Sequence, residues 1–250
     1  MADTKKKKND NIEQIAPEAI PAHIAIIPDG NRRWARAHGL PIGAGHKKGI
    51  DVFKQIVEHC GDIGVKYLTF YAFSSENNKR SEAEVSELMS LLLYFLKNSD
   101  RELGKGRQKV RIRVIGRREG LSDELREAID VVEEKTKNNT GITVLICINY
   151  GGRDEIVDCV RSVAKKVEEG SLKSSDIDTA LVCSSMYSGD IPSPDILIRS
   201  SGEKRISNFL LWGLAYTEFF FPEMYWPEFT PKDLDDIIIE FSKRNRRFGV

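Results

Sequence analysis

One α/β domain around a mostly parallel sheet is what the sequence predicts, on three observations. Short apolar runs of strand length alternate with amphipathic helical stretches from about Pro21 onward. Neither a composition break nor a linker interrupts that alternation, and repeated βα units of this kind fold as one layered domain. With 250 residues, 40% hydrophobic and 30% charged, the chain can bury a substantial core. Two small domains would also fit that length, but the unbroken pattern favours one.

Residues 1–20 are polar, with a charge run at Lys5 to Lys8, and read as a disordered basic tail. The alternative use of that tail is a weak electrostatic contact with anionic lipid. His23 to Ile27 is a compact apolar strand that stops at the turn Pro28-Asp29-Gly30-Asn31. Gly43 and Gly45 mark a glycine-rich turn, after which His46 opens a helix whose apolar face holds Ile50, Phe53, Ile56, Val57 and Cys60. Tyr67 to Phe73 is rich in β-formers and ends at Ser74-Ser75-Glu76-Asn77. Val85 to Leu96 is more apolar than a one-sided surface helix needs, so it is covered on two sides or lines a greasy cavity.

Val110 to Ile115 alternates with Arg111 and Arg113, as a strand with one wet face does. A helix around Leu125, Ile129 and Val132 leads to the strand Ile142 to Ile148, which stops at Asn149-Tyr150-Gly151-Gly152. Next come a helix carrying Ile156, Val160 and Val163, and the strand Asp195 to Arg199. A helix near Leu234, Ile237, Ile238 and Phe241 closes the chain, followed by Arg246-Arg247-Phe248-Gly249.

The formal net charge is +0, so no global field draws the chain to nucleic acid or to an anionic membrane. Any anion site must be built locally. Cys60, Cys147, Cys159 and Cys183 form no CxxC pair and read as buried free thiols in a reducing cytosol. No secretory signal and no membrane-spanning apolar run is present, so a cytoplasmic protein is expected, in contact with membrane at most peripherally.

In open parallel sheets ligands bind beyond the carboxyl ends of the strands. Asp29-Gly30-Asn31 leads into Arg32-Arg33-Trp34, a strand, a tight turn and a helix start whose free N–H groups suit a phosphate. Asp29 reads equally as an N-cap or, with Arg33 beside it, as a hard oxygen ligand for Mg²⁺ on a diphosphate. His46 is either structural or a donor to the same anion. Arg199-Ser200-Ser201-Gly202-Glu203-Lys204-Arg205-Ile206-Ser207-Asn208 packs arginine forks and hydroxyls into ten positions, a dense donor set for phosphate oxygens. Neither a GxxxxGK[ST] loop nor a complete dinucleotide fingerprint occurs. Trp212, Tyr216, Phe219-Phe220-Phe221 and Trp226 read as core or interface, and Glu218 among them needs a metal, an arginine or a partner subunit.

The segments HIAIIPDGNRRWA, GHKKG, YLTFYAFSSEN, NYGGRDEIVDCV, ILIRSSGEKRISNFLLW, AYTEFFF and RRFG resemble, in order, the signatures of the cis-prenyltransferases, the undecaprenyl diphosphate synthase family. The resemblance runs from about Pro21 to the C-terminus, placing a catalytic domain at residues 21–250. It implies a six-stranded sheet surrounded by helices, with an apolar product tunnel beside Ala72, Leu88, Leu92 and Ile142. It implies Mg²⁺-dependent condensation of isopentenyl diphosphate with an allylic prenyl diphosphate. In that reading Asp29 holds Mg²⁺, and Gly30, Asn31, Arg33 and His46 contact the allylic diphosphate. Trp34 and Arg80 are further substrate-binding positions. Arg199, Arg205 and Ser207 hold isopentenyl diphosphate, and Ser74 and Asn77 sit near the reacting carbons. Glu218 assists the metal, or the loop around it, and Arg247 and Gly249 reach a neighbouring site in a homodimer.

Three positions depart from the family's usual pattern: Ile42 for an arginine, Asn78 for a tryptophan and Gly213 for a glutamine. They leave the allylic acceptor and the product open. An irregular condensation of two allylic diphosphates is one alternative. A non-catalytic scaffold subunit is a second, disfavoured because Asp29 and the Arg199 to Asn208 loop are intact. Another phosphate enzyme on a Rossmann-like sheet is a third.

Overall fold

The computed structural model describes residue 12, residues 15–103 and residues 109–244. Its centre is a six-stranded sheet: β1 (His23–Ile27), β2 (Tyr67–Ser74), β3 (Arg111–Ile115), β4 (Thr143–Tyr150), β5 (Ile196–Arg199) and β6 (Glu218–Phe220). The strands lie in the order β3-β4-β2-β1-β5-β6, and every neighbouring pair is parallel. Among the described residues, eight helices surround it: α1 (Asn31–Ala37), α2 (Ile42–Asp62), α3 (Glu82–Lys97), α4 (Ser99–Leu103), α5 (Asp123–Thr136), α6 (Gly152–Glu168), α7 (Thr179–Ser185) and α8 (Pro231–Ser242).

A parallel sheet is covered on both faces, so its strands read as continuous apolar runs rather than alternating ones. Along β1, Ile24 and Ile26 enter the core shared with α2, α3, α5 and α8, while Ala25 and Ile27 face Phe209, Leu210 and Leu214 on the other side. Helix starts are set locally. Ser81 accepts from the Glu84 N–H, Ser122 from the Leu125 N–H, and Thr230 forms a capping box with Asp233 ahead of Pro231.

Three expectations change, and one open reading is decided. Ordered structure begins before Pro21: Pro17–Ala19 is a 3-10 turn, and Ile12, Ile15 and Ile20 pack on the main core. The rest of the expected tail lies outside the described residues. Gly43 and Gly45 form no turn but sit within the first turn of α2, and His46 is that helix's fifth residue. Of the two readings of Trp226 the core one holds: it is buried, stacks on Phe229 at 5.4 Å and donates its indole N–H to the Gly49 carbonyl at 2.9 Å. Cys183 is exposed, unlike the other three cysteines.

Gly45 faces α1 at backbone contact. A Cβ there would stand 2.2 Å from the Asn31 carbonyl oxygen, and a backbone atom cannot swing aside. Gly45→Ala should therefore cost about 2 kcal/mol, the overpacking penalty outweighing the roughly 1 kcal/mol that alanine gains in a helix. Urea denaturation reads this as a lowered midpoint; an unchanged or raised midpoint would show that α1 does not bear on Gly45.

Candidate active site

β1 and β5 are parallel neighbours with Ile27 opposite Arg199, so the segments that follow them leave the sheet side by side. Asp29 joins the two. Its Oδ2 accepts from Arg199 Nη2 at 2.7 Å, and its Oδ1 accepts from Arg33 Nη2 at 3.0 Å and from the Gly30 N–H at 2.6 Å. Its backbone N–H donates to Ser200 Oγ at 2.9 Å. Gly30 holds φ 98°, and Tyr225 fills the space where a Cβ would stand. Burial alone would raise the Asp29 pKa, but Arg199 and Arg33 outweigh it and hold the carboxyl below its ordinary range. Asp29 is thus more than a loose turn carboxylate, because Arg199, with a side chain 5% exposed, would lose its ionic partner without it.

The second donor loop closes on the same arginine. Arg199 Nη1 donates to the Arg205 carbonyl at 2.6 Å and to Ser207 Oγ at 2.7 Å. Its buried Nε has no hydrogen-bond partner among the described residues, so one guanidinium N–H remains for an anion. Glu203 links the loops a second time, accepting from Arg33 Nη1 at 2.9 Å and pairing with Arg205. Arg33 also donates to Ser201 Oγ at 2.5 Å and lies over the Tyr225 ring, 5.6 Å from its centroid. Ser200, Ser201 and Glu203 were legible as parts of the loop; Tyr225 carries no local signal, since only the folded chain brings it to Gly30.

Beside this polar pair lies an apolar cavity of about 80 Å³. Pro28, Asn31 and His46 line it next to Asp29, and Leu88, Leu91 and Leu92 of α3 form one wall. The second reading of the Val85 to Leu96 stretch therefore holds. Phe53, Phe70 and Phe95 also line it, packed in a cluster with ring centroids 4.4 and 5.5 Å apart. Ala72, Leu88 and Leu92 border the cavity as expected, but Ile142 does not; Ile146, four residues further along the chain and within β4, takes that place.

His46 is 9% exposed, and burial, with Arg80 nearby, pushes its pKa down to about 4 although Glu84 acts the other way. His46 Nε2 stands 3.8 Å from Glu84 Oε1, beyond hydrogen-bond reach, so that contact is electrostatic. Glu84, unforeseen in the sequence, also pairs with Arg80 at 2.8 Å and Arg32 at 3.5 Å, fixing the start of α3 beside α1 and α2.

Ser74 and Asn77 close the turn at the end of β2, the Ser74 N–H donating to Asn77 Oδ1 at 3.1 Å. Trp34 packs against His38 with ring centroids 4.4 Å apart and the rings tilted by 31°, and does not line the cavity. Glu218 lies opposite Ile196, three residues back from Arg199, about 10 Å along the strand, and pairs with Arg244 at 2.7 Å. A single chain does not bring Glu218 to Asp29; the arginine expected as one of its possible partners satisfies it. Arg247 and Gly249 lie outside the described residues.

No group of three or more His, Cys, Asp or Glu among the described residues is arranged to hold an ion. The residues still fit Mg²⁺, which binds through one or two carboxylates together with substrate phosphates. Asp29 would supply the carboxylate, between arginines that suit the phosphates.

A prenyltransferase family model, that of undecaprenyl diphosphate synthases, matches residues 27–249. An isoprenyl transferase of Clostridium perfringens is 45% identical over 246 residues, 98% of this chain and 96% of that protein. One of Brucella suis is 48% identical over 229 residues, covering 92% and 89%. The fold superposes on the crystal structure of a lavandulyl diphosphate synthase from Lavandula x intermedia in complex with dimethylallyl diphosphate. The TM-score is 0.90 and the identity 38%, over 93% of this chain and 100% of that one. A probable undecaprenyl diphosphate synthase from Campylobacter jejuni gives a TM-score of 0.75 at 33% identity, over 92% and 99%.

The buried, neutral His46 has a measurable consequence. Its folded pKa, about 4, is below the ordinary 6.5, so between those values the unfolded chain binds a proton that the folded chain refuses. Stability is therefore full above pH 6.5 and falls as pH drops toward 4, by at most about 1.4 kcal/mol per pH unit from this group. His46→Gln should flatten the slope of unfolding free energy between pH 6 and 5 by about 1 kcal/mol per unit. An identical slope in both proteins would mean that His46 is not held neutral.

Proposed function

The chain belongs to the undecaprenyl diphosphate synthase family and is a prenyltransferase, and from that premise we propose that it lengthens an allylic prenyl diphosphate by cis condensation with isopentenyl diphosphate. The observation that carries this reading is the Asp29–Arg199 pair, which sets two diphosphate-type donor loops side by side next to an apolar cavity. In this assignment Arg33, Gly30, Asn31 and His46 face the allylic diphosphate, and Arg199, Arg205 and Ser207 the isopentenyl diphosphate. Arg80, held to Glu84 at the start of α3, is a further contact for the allylic substrate. Mg²⁺ at Asp29, when bound, neutralises charge on the departing diphosphate.

The allylic C1–O bond breaks and its electron pair leaves with diphosphate. The isopentenyl double bond attacks C1, and the C2 proton passes to the diphosphate or to a group near Asn77. Fixed cationic donors stabilise the growing negative charge, and the fixed second diphosphate aligns the double bond with C1. The apolar cavity excludes water from any allylic cation. Its 80 Å³ is below the ~150 Å³ that holds benzene. A growing tail therefore has to displace side chains, and the half-buried Leu88, Leu91 and Leu92 move at less cost than the packed Phe53, Phe70 and Phe95.

Trp212, Tyr216 and Phe219 are exposed, and a second copy of the chain covering them fits a homodimer. No described helix is long and apolar enough to cross a membrane. A cytoplasmic enzyme, in contact with membrane at most through its lipid product, accords with that.

Arg205 gives the test least confounded by folding, because its side chain is 60% exposed. Arg205→Ala should raise KM for isopentenyl diphosphate about tenfold, the loss of one charge-assisted contact, and leave KM for the primer within about twofold. Equal changes for both substrates would sink the division of labour.

A second reading is favoured by the close superposition on the lavandulyl diphosphate synthase and by Asn78, which replaces a large aromatic with a small amide bonded to Asn149 Oδ1 at 3.2 Å. A relaxed acceptor site would admit dimethylallyl diphosphate as second substrate. Incubation with a long allylic primer and dimethylallyl diphosphate, without isopentenyl diphosphate, should give no product if elongation is the sole reaction. A branched product identified by NMR would establish the irregular linkage instead.

A further inference from the structure

The loop that carries Ser207 is held in an unfavourable shape. Ser207, Asn208 and Leu210 have φ of 47°, 61° and 42°, the left-handed region that non-glycine residues seldom occupy. Such a run persists only where the surroundings fix it, and Asn208 supplies three of the bonds that do so. Its backbone carbonyl accepts from the Gly152 N–H at 2.6 Å, and its Oδ1 accepts from the Arg153 N–H at 2.9 Å, both at the start of α6. Its Nδ2 donates to Glu76 Oε1 at 2.7 Å. Glu76 belongs to the 3-10 turn Ser75–Lys79, the turn that Asn77 closes onto Ser74. One residue therefore ties together the loop after β5, the start of α6 and the turn after β2.

We propose that Asn208 is a positioning residue, which with Glu76 clamps the loop of Arg199, Arg205 and Ser207 to the turn of Ser74 and Asn77. The inference rests on the function proposed above and adds a coupling to it. The grip on the second diphosphate and the placement of that substrate's reacting carbons form as one unit. Ser207 is the transmitting group, because its backbone is fixed by its neighbour Asn208 and its Oγ accepts from Arg199 Nη1.

The polarity of the Asn208–Glu76 bond can be reversed. Asn208→Asp keeps an acceptor for the Arg153 N–H but sets two carboxylates against each other. Adding Glu76→Gln restores a donor facing an acceptor, now in the opposite direction. Asn208→Asp should raise KM for isopentenyl diphosphate about tenfold, equivalent to about 1.4 kcal/mol, and lower kcat, with the primer KM within about twofold. The double variant should recover to within about threefold of the original, with thermal midpoints alike throughout. Glu76→Ala, at an exposed position that leaves the core untouched, should raise the same KM severalfold. Calorimetric binding of inorganic diphosphate by the same variants should follow the same pattern of loss and rescue. No change with Asn208→Asp, equal changes for both substrates, or no rescue in the double variant would overturn the clamp. A chain that binds inorganic diphosphate with the rescue pattern but condenses no substrate would instead sink the proposed function and leave the clamp standing.

Discussion

The ion pair between Asp29 and Arg199 joins the ends of two neighbouring strands, and most of the polar geometry at that end of the sheet is organised around it. A guanidinium as buried as that of Arg199 is costly to desolvate. Its close pairing with Asp29 and the bonds to both terminal nitrogens offset that cost, leaving only Nε without a partner among the described residues. Asp29 provides the charge; Ser207 Oγ and the Arg205 carbonyl occupy a second corner of the fork. Arg33 is drawn in by the other oxygen of Asp29, and Gly30 turns the chain so that Tyr225 can close over it. Each of these positions follows from satisfying one buried charge.

A chain with no net charge must make its anion site this way. Asp29, Glu203 and Glu84 hold Arg199, Arg33, Arg205, Arg32 and Arg80 in place. Donors fixed beforehand need little rearrangement when negative charge develops, which is where electrostatic catalysis gains most. In the function proposed above, the same carboxylates would compete with incoming phosphate oxygens, so binding would exchange one set of partners for another. Next to this charged end, the cavity is apolar because α2, α3 and the sheet contribute leucine and phenylalanine to it. The polar and apolar halves meet at Asn31 and His46, both of which carry a buried polar atom without a hydrogen-bond partner among the described residues.

Much of this was legible in the sequence, for physical reasons. Strands buried on both faces are continuous apolar runs, so β1, β2, β4 and β5 stood out, and the edge strand β3 by its alternation with Arg111 and Arg113, each within a residue or two of its observed ends. β6 did not, because three residues, one of them Glu218, show no period, and its pairing with β5 is what makes it a strand. Gly43 and Gly45 misled because glycine is a turn signal locally, whereas Gly45 serves the approach of α2 to α1. Asp29, Arg33, Arg199 and Ser207 were legible because they lie at or just past strand ends in donor-rich segments. Glu84, Tyr225 and the bridging bonds of Asn208 were not, since each depends on contacts between segments far apart in the chain.

A double-mutant cycle on unfolding free energy tests the central claim most directly. Asp29→Ala, Arg199→Ala and the double variant would each be unfolded in urea at pH 7 alongside the unaltered chain. If the pair organises this end of the sheet, each single variant leaves a charge without its partner, and the coupling energy is about 2 kcal/mol. Single-variant losses that add to the double-variant loss within about 0.5 kcal/mol would show the two residues to be independent, and would contradict the account.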